Sequence, residues 1–406
     1  MDPIRNPYTP GAGSPPPELA GRDEVIRDAQ IAIERIRLGR FSKSLILVGL
    51  RGVGKTVLLE RLRQNAEAEG AMSLRIEAEE GRGLPETLVP QLRGALIRLS
   101  RVEQAKDLAA RGLRALAGFA SAMKLTYNEV EIGVNIAPEA GLADNGDLVN
   151  DLQELMVTAG KAALGAEKVL VFFIDELQYV QEDELAALIT ALHRCSQERL
   201  PVTMVAAGLP QLRGQMGNAK SYAERLFEFP LIGALEVDQK TKTDPGRDAI
   251  IKPAQEEGVE FTPDAVVTIL EQTQRYPYFL QEWGKHAWDA ATESPITRAD
   301  VLAGAETAIL ALDESFFRVR FDRLTPHEKR YVRAMAELGE GPHRSGEIAN
   351  EMNRDVSSLA PTRSSLIKKG MIWSPAHGQT AFTVPLFHEF MRRVMPGGDW
   401  RTPNGT

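Results

Sequence analysis

Residues Gly49 to Thr56 have the types and spacing of a phosphate-binding loop. They read GLRGVGKT, which fits the pattern G-x-x-x-x-G-K-T. Glycines let the backbone bring its N–H groups close to phosphates, and a helix N-terminus adds partial positive charge at the same point. Lys55 is expected to reach the β- and γ-phosphates, and the Thr56 hydroxyl is expected to help hold Mg²⁺. The pattern therefore predicts a nucleoside triphosphate site.

The residues on both sides of this loop predict the elements that must position it. Ser44–Val48 is an apolar run with the length of a buried parallel strand, and Leu58, Leu59 and Leu62 recur at helical spacing. The alternative, a glycine-rich turn with a chance Lys-Thr, does not explain both flanks. The loop residues predicted to contact the nucleotide are Gly49, Arg51, Gly52, Val53, Gly54, Lys55, Thr56 and Val57.

An acidic pair further along the chain predicts hydrolysis as well as binding. The apolar run Val169–Ile174 ends in Asp175-Glu176. Asp175 is expected to support Mg²⁺. Glu176 is expected to orient or deprotonate the attacking water, because neutral water is a poor nucleophile. A carboxylate at the end of a strand can instead be only a turn former or a helix cap, but the pairing with the phosphate loop favours catalysis.

Composition restricts the class of protein. The chain has 406 residues, of which 43% are hydrophobic and 26% charged, and its net charge is −8. These values are typical of a globular protein of two or three domains, and they exclude a nucleic-acid-binding polycation, so any such contact must come from a local patch. The single cysteine, Cys195, lies in an apolar helical pattern and is expected to be buried. No apolar run has membrane-spanning length and no signal-peptide core is seen, which predicts a cytoplasmic protein with no membrane contact.

The order of predicted elements divides the chain. Strands alternate with helices up to about residue 235, which predicts an α/β fold with a three-layer parallel sheet. A helical stretch and a unit of mixed helices and short strands follow. The residues before the core, rich in proline and containing Tyr8, are expected to form an extended arm laid on the body. The predicted segments are 1–40 (arm and first helix), 41–235 (core, with a β-hairpin near 124–136), 236–312 (helical bundle), 313–398 (C-terminal domain) and 399–406 (tail).

The C-terminal domain has the pattern of a winged helix-turn-helix. Three helices are followed by two short strands, an order typical of that motif. Pro361 is expected in the first turn of the third helix, where proline is tolerated. The predicted elements are helices over 325–338, 345–352 and 358–369 and strands over 371–373 and 380–384.

With these motifs the sequence resembles a known family, the AAA+/STAND branch of P-loop NTPases, whose nucleotide is ATP with Mg²⁺. GLRGVGKT and FFIDELQYV resemble its two nucleotide motifs, and the origin-recognition-type initiators and related prokaryotic ATPases are the most similar members. PPELAGRDEVI is similar to the segment that packs along the adenine, which implies contacts from Leu19, Gly21 and Arg22. RYPYFLQEWG is similar to the motif of the helical lid, the bundle of residues 236–312, and implies that Pro277 lies over the nucleotide.

The same resemblance implies three further polar roles. A sensor residue is expected near the end of the strand VTMVAAG, where only Thr203 is polar, and Arg275 is the nearest candidate for a second sensor. Arg225 occupies the place of an arginine that completes a neighbouring subunit's site, which implies self-association. The alternative is a surface arginine paired with Glu224 or Glu228.

The sequence is compatible with two functions. In the first, an ATPase binds double-stranded DNA through the winged helix, and its nucleotide state controls assembly and DNA association. Residues 325–395 carry ten Lys and Arg against seven acids, a mildly basic balance. In the second, a STAND-type switch, the winged helix binds protein or holds the ATPase core closed. A metabolic kinase does not explain the lid or the winged helix. The predicted DNA contacts are Arg354, Arg363, Lys368 and Lys369.

Overall fold

A five-stranded parallel sheet confirms the predicted α/β fold. The structure, a computed structural model, describes residues 1–11, 13, 15–125 and 137–401, so the hairpin predicted near 124–136 lies almost wholly outside the described residues. The chain forms two units. We refer to residues 22–48 and 55–231 as the sheet unit, and to residues 1–21, 49–54 and 232–406 as the C-terminal unit. The five-segment division made from the sequence stays a prediction.

The strands of the sheet unit follow the order β2-β3-β4-β1-β5, and every pairing is parallel. β3 and β4 are buried along nearly their whole length, as expected of strands covered on both faces. Because β4 lies between β3 and β1, the ends of these three strands are neighbours. The strands are β1 (Ser44–Val48), β2 (Met72–Glu77), β3 (Leu170–Asp175), β4 (Val202–Gly208) and β5 (Phe227–Glu228).

Eight helices of the described residues belong to the sheet unit. Two of them, α3 (Leu84–Leu99) and α4 (Lys106–Ala122), are separated by a short 3₁₀ turn. Cys195 is buried as predicted, and burial raises the pKa of its thiol to about 12, so it is not a reactive thiolate. The helices are α1 (Asp23–Arg37), α2 (Lys55–Ala68), α3 (Leu84–Leu99), α4 (Lys106–Ala122), α5 (Leu148–Gly165), α6 (Glu182–Gln197), α7 (Leu212–Ala219) and α8 (Ala223–Leu226).

The C-terminal unit begins, beyond the arm and the loop segment 49–54, with a run of helices. A π-helical turn over Asp313–Phe317 joins the fourth of them to the fifth. Within the part of the chain that the structure describes, no helix in either unit is both long enough and apolar enough for a membrane crossing. The helices are α9 (Pro245–Glu256), α10 (Pro263–Gln272), α11 (Pro277–Ala290), α12 (Arg298–Leu312) and α13 (Arg318–Asp322).

The last part of the C-terminal unit combines three helices, a three-stranded antiparallel sheet and a final helix. The sheet order is β6-β8-β7, and the arrangement is compatible with a winged helix-turn-helix. Strand β6 has only two residues, too few to produce an alternating pattern, and it was not predicted. The elements are α14 (Pro326–Leu338), β6 (His343–Arg344), α15 (Ser345–Glu351), α16 (Val356–Lys368), β7 (Ile372–Trp373), β8 (Gln379–Phe382) and α17 (Phe387–Val394).

The expectation that Pro361 lies in the first turn of its helix is wrong. Helix α16 begins at Val356, so Pro361 lies in the second turn, where it removes one backbone hydrogen bond. Pro253 likewise lies inside α9. Buried leucines on α16, Leu359 and Leu366, pack in the core of the C-terminal unit. Packing of this kind offsets the missing hydrogen bond, which sequence periodicity alone does not reveal.

The predicted N-terminal arm is present and packs on the helices of the C-terminal unit. Tyr8 is 3% exposed, and its hydroxyl donates a hydrogen bond to the Ile250 carbonyl. The Trp288 indole N–H donates to the Asp2 carbonyl over 3.0 Å. The arm is thus held by hydrogen bonds together with the burial of Tyr8.

Candidate nucleotide site

The carboxyl edge of the sheet brings Lys55, Thr56 and Asp175 together. Helix α2 begins at Lys55 and β3 ends at Asp175, and the carboxyl ends of neighbouring parallel strands are the usual ligand-binding edge. The Thr56 hydroxyl donates a hydrogen bond to the Asp175 carboxylate, which the Lys55 ammonium also attracts. Lys55 is only 8% exposed, and a buried ammonium is stable only beside negative charge. These three residues form one electrostatic cluster.

Burial dominates the electrostatics of Asp175. It raises the pKa of the carboxyl, while the hydrogen bond from Thr56 opposes that rise. The negative charge of Glu176 raises the pKa further, although the Glu176 backbone N–H donates to Asp175 Oδ1 over 2.8 Å. A carboxylate and a hydroxyl are oxygen ligands of the kind that Mg²⁺ takes. A divalent cation would relieve the electrostatic cost of the buried carboxylate, so the residues present fit that cation.

The cation would need ligands beyond the protein. Among the residues that the structure describes, no group of three or more His, Cys, Asp or Glu side chains could hold a metal ion by itself. Mg²⁺ commonly binds through one or two protein oxygens together with substrate phosphates and water. Thr56 and Asp175 fit a site of that shared kind, and cation binding by them stays a prediction.

Two glycines of the segment 49–54 are required by its backbone. Gly52 has φ +81°, in the left-handed region that favours glycine. A Cβ at Gly49 would lie 2.0 Å from the Ile232 carbonyl oxygen, which no side chain can tolerate. These constraints act within the C-terminal unit. The glycines predicted from the motif therefore have a local steric reason.

The same segment makes backbone hydrogen bonds inside the C-terminal unit. The Arg51 N–H donates to the Thr383 carbonyl over 2.9 Å, and the Tyr278 N–H donates to the Gly52 carbonyl over 3.1 Å. Tyr278 follows Pro277 at the start of α11, and Thr383 follows β8. The tip of the phosphate loop is thus hydrogen-bonded both to the first turn of α11 and to the segment after β8.

Glu176 has an unusual backbone and a side-chain partner that sequence reasoning missed. Its φ is +51°, in the left-handed region, which is uncommon for a residue with a side chain. The Gln178 side-chain amide donates to Glu176 Oε2. Gln178 Oε1 in turn accepts from the Leu209 backbone N–H over 3.1 Å. The one sequence signal for this partner was that Gln178 is polar and lies two positions after Glu176, just after an apolar strand.

Comparison with known families identifies the region that carries this cluster. Residues 18–205 match the family described as AAA ATPase domain. This region is similar to an AAA ATPase domain. The match confirms the resemblance inferred from the two motifs, and it covers the phosphate loop, Asp175 and Glu176. Residues 314–391 match a family described as domain of unknown function, DUF8462. No curated protein matches the sequence.

Solved structures similar to the whole chain are distant. The Orc1 protein of Aeropyrum pernix in complex with DNA is 16% identical, with 93% of this chain and 94% of that chain covered and a TM-score of 0.44. The Holliday junction branch migration motor RuvB of Thermotoga maritima is 16% identical, with 89% and 92% covered and a TM-score of 0.41. Cdc6p of Pyrobaculum aerophilum is 13% identical, with 97% and 99% covered and a TM-score of 0.41.

The two sensor candidates, Thr203 and Arg275, both have side-chain partners within their own units. Thr203 is the second residue of β4, at the opposite end from the phosphate loop, and its hydroxyl lies 3.2 Å from that of Ser44. Arg275 pairs with Asp244, 2.7 Å from Oδ1, and also donates to the Leu235 carbonyl. The hydrogen bonds that Arg275 donates to the Asp244 carboxylate raise the pKa of Arg275. Both side chains therefore have structural partners.

Arg225 is exposed near the C-terminal end of the one-turn helix α8, shortly before the edge strand β5. Among the described residues Arg225 forms no ion pair with Glu224 or Glu228. The ion pair that the alternative interpretation requires is therefore not formed. The role of Arg225 in a neighbouring site stays a prediction.

The residues predicted near the adenine are divided between the two units. Leu19, Gly21 and Pro277 belong to the C-terminal unit, where Leu19 is half-buried and Pro277 is the first residue of α11. Arg22 belongs to the sheet unit and is 9% exposed. Burial lowers the pKa of its guanidinium to about 10. Contacts of these residues with a nucleotide stay predictions.

Two of the four predicted DNA contacts have partners inside the C-terminal unit. Arg363 donates to the Thr380 hydroxyl and to the Gln379 carbonyl, each over 2.9 Å, and so ties α16 to β8. Lys369 pairs with Glu328 over 2.7 Å. Burial favours the neutral form of Glu328, but the hydrogen bonds that it accepts, with that from Lys369 first, lower its pKa to about 2. Arg363 is half-buried, and a DNA contact of Arg363 or Lys369 stays a prediction.

The other two cations, Arg354 and Lys368, are exposed. Among the described residues neither has an ion-pair partner. Arg354 lies near enough to His327 to lower the pKa of that imidazole, although burial is the larger cause. Of the four predicted DNA contacts, Arg354 and Lys368 are thus the two whose side chains are exposed without an ion pair among the described residues.

Proposed function

We propose that this protein is an ATP-hydrolysing switch whose AAA ATPase domain binds ATP with Mg²⁺. The observation that carries the proposal is the hydrogen bond between Thr56 and Asp175 beside the buried Lys55. A hydroxyl hydrogen-bonded to a carboxylate, with an ammonium that interacts electrostatically with that carboxylate, has the chemistry that phosphoryl transfer requires, since catalysis there rests on positioning and charge stabilisation.

Each residue of the cluster has a separate part in the proposal. Lys55 neutralises charge on the β- and γ-phosphates, and the phosphate loop supplies backbone N–H groups. Thr56 and Asp175 would hold Mg²⁺, which when bound supplies positive charge to the triphosphate. Glu176 orients the attacking water and accepts its proton. Adenine selection is assigned to Leu19, Gly21, Arg22 and Pro277.

We also propose that the protein associates with itself through Arg225. Replacing Arg225 by Ala is expected to leave ATP affinity unchanged and to lower turnover by ~10³-fold, because an arginine supplied to a neighbouring site stabilises transition-state charge. Mixing Arg225→Ala with Lys55→Ala should restore part of the activity, since one composite site then has both residues. Turnover is measured by phosphate release over a range of protein concentrations.

Arg61→Ala, an exposed arginine on α2, is the matched control and should keep full turnover. A wild-type protein that stays monomeric with ATP, and whose specific rate does not change with concentration, would remove the role of Arg225.

The C-terminal unit is proposed to control the ATPase through the phosphate loop. The hydrogen bonds from Arg51 to Thr383 and from Tyr278 to Gly52 support this form of the switch, because the loop conformation that binds phosphate is then coupled to the segment after β8. These two hydrogen bonds favour an autoinhibited, STAND-like switch over a protein whose nucleotide state controls DNA association. A change in loop conformation would be passed to the DUF8462 region directly.

Thr383→Val tests this control. The Thr383 hydroxyl is fully buried and donates to the Gly370 and Met371 carbonyls, so valine removes the hydrogen bond at constant volume and loosens the segment that accepts from Arg51. A loss of about 1 kcal/mol is typical of one hydrogen bond and corresponds to roughly fivefold in an equilibrium. Basal ATPase turnover should rise by about that factor.

Thr87→Val, in α3 of the sheet unit, is the control, because its hydroxyl also donates to a carbonyl. Turnover that stays unchanged in Thr383→Val, while its thermal stability falls as in the control, would argue against control through this contact.

DNA association is the second candidate function, and the exposed Arg354 and Lys368 favour it. The double change to Ala is expected to weaken binding to a DNA duplex. It should also flatten the log–log dependence of affinity on salt by about two units, because two phosphates are no longer neutralised. ATP affinity should not change. Binding is measured by fluorescence anisotropy at several salt concentrations.

Lys106→Ala, in α4 of the sheet unit, is the control and should leave the salt dependence unchanged. A slope that is the same in the double variant and the wild type would exclude these two residues from a DNA contact.

A further inference from the structure

The side chain of Gln178 connects two groups at the carboxyl edge of the sheet. Its amide nitrogen donates to Glu176 Oε2, and its Oε1 accepts from the Leu209 backbone N–H over 3.1 Å. The two bonds fix the orientation of the amide, since only the nitrogen can donate and only the oxygen can accept from an N–H. Gln178 belongs to the 3₁₀ turn Leu177–Tyr179 and Leu209 directly follows β4.

The end of β4 is shaped to admit this side chain. A Cβ at Gly208, the last residue of β4, would lie 2.5 Å from Gln178 Oε1, a distance that a carbon and an oxygen atom cannot share. Leu209 is 1% exposed, so its N–H would be unsatisfied without Gln178, which buried backbone groups avoid. The backbone at the end of β4 therefore both leaves room for the Gln178 side chain and requires its hydrogen bond.

The two hydrogen bonds of Gln178 also set the direction of the Glu176 side chain. The strand order places β4 between β3, which carries the acidic pair, and β1, which leads into the phosphate loop. A Glu176 carboxylate held toward the end of β4 lies on the β1 side of its own strand and away from β2. One carboxylate oxygen accepts from Gln178, and a carboxylate has a second oxygen that can accept from a water molecule.

We infer that Gln178 is a positioning residue for hydrolysis, which holds the Glu176 carboxylate in the orientation that engages the attacking water. The inference rests on the proposed ATPase function and deepens it. Thr203, the polar residue of β4, is too far along the strand to reach its carboxyl end. The polar group beside that strand end comes instead from the turn after β3.

The glutamate variant separates positioning from a structural role. In Gln178→Glu the carboxylate can still accept from the Leu209 N–H, so the strand end keeps its partner, but it cannot donate to Glu176 when ionised. We expect kcat to fall by at least tenfold while KM for ATP changes by less than twofold. The acid limb of the kcat pH profile should move to higher pH, because a neighbouring negative charge opposes ionisation of the catalytic carboxylate.

Gln178→Ala should lower kcat by a similar factor with a smaller movement of the pH profile, since it adds no charge. Gln64→Ala, an exposed glutamine on α2 that contacts Glu60, is the control and should match the wild type. Binding of a fluorescent ATP analogue to each variant shows that the site is folded. If Gln178→Ala fails to fold, Gln178→Glu still decides the question through its separate effects on kcat and KM and its pH profile.

Two failures are distinguishable. A wild-type protein that hydrolyses ATP, together with a Gln178→Glu variant whose kcat and pH profile equal those of the wild type, overturns only the role of Gln178. A wild-type protein that binds ATP and does not hydrolyse it, in every oligomeric state tested, overturns the proposed hydrolysis and the role of Gln178 with it.

Discussion

Lys55→Ala is expected to abolish ATP binding. Lys55 is the buried cation of the cluster and interacts electrostatically with Asp175, and its removal takes away the charge that faces the β- and γ-phosphates. The remaining Asp175 carboxylate would then repel the triphosphate without compensation. An affinity loss of at least 100-fold corresponds to about 2.7 kcal/mol, a reasonable value for a charged hydrogen-bonding partner removed from a desolvated site.

Binding of a fluorescent ATP analogue measures this effect, and the melting temperature of the variant shows whether the fold is kept. Removal of a buried charge whose partner stays behind is itself destabilising, so a fall in melting temperature is expected too. Lys43→Ala, a lysine immediately before β1 whose ammonium donates to the Glu224 carbonyl, is the control and should bind normally. Unchanged affinity in Lys55→Ala would reject the phosphate-loop assignment.

Glu176→Gln is expected to bind ATP with normal affinity and to stop turnover almost completely. The amide has nearly the same shape as the carboxylate but cannot accept a proton from water. General-base catalysis is typically worth about 10²–10⁴-fold, so a loss of about 10³-fold in kcat is expected. The variant should retain ATP after gel filtration, whereas the wild type should retain ADP, and the nucleotide is identified by chromatography of the extracted protein.

Glu182→Gln is the matched control, because Glu182 is exposed at the start of α6 and lies close to Glu176 in the sequence. Wild-type turnover in Glu176→Gln would mean that another residue orients the water. Loss of nucleotide binding in Glu176→Gln would mean that the residue acts on affinity and not on the chemical step.

The sequence predicts the sheet and its phosphate loop well because each depends on local patterns. β3 is an apolar run that ends at Asp175, β4 has Thr203 as its one polar residue, and the loop has a fixed motif between a strand and a helix. β6 was missed because two residues carry no periodicity and because its pairing with β8 joins segments that are far apart in the sequence. Pattern reasoning cannot detect such a pairing.

Side-chain partners were the least predictable part of the site. Nothing in the local sequence distinguishes Arg363 and Lys369, which form internal contacts, from Lys368, which is exposed. Gln178 acquires its significance only when the fold places β4 beside β3. These properties depend on which elements are neighbours in space, and one sequence contains that information only through the complete fold.

The docking of the N-terminal arm has a consequence for synthesis of the chain. Tyr8 bonds to Ile250, which lies 242 positions later, so the arm leaves the ribosome long before its partner helix exists. At about 5–20 residues per second the wait is roughly 10–50 s. During that time the apolar face of Tyr8 is accessible to chaperones and proteases. The arm can dock only after α9 has been synthesised, which makes its burial a late event in folding.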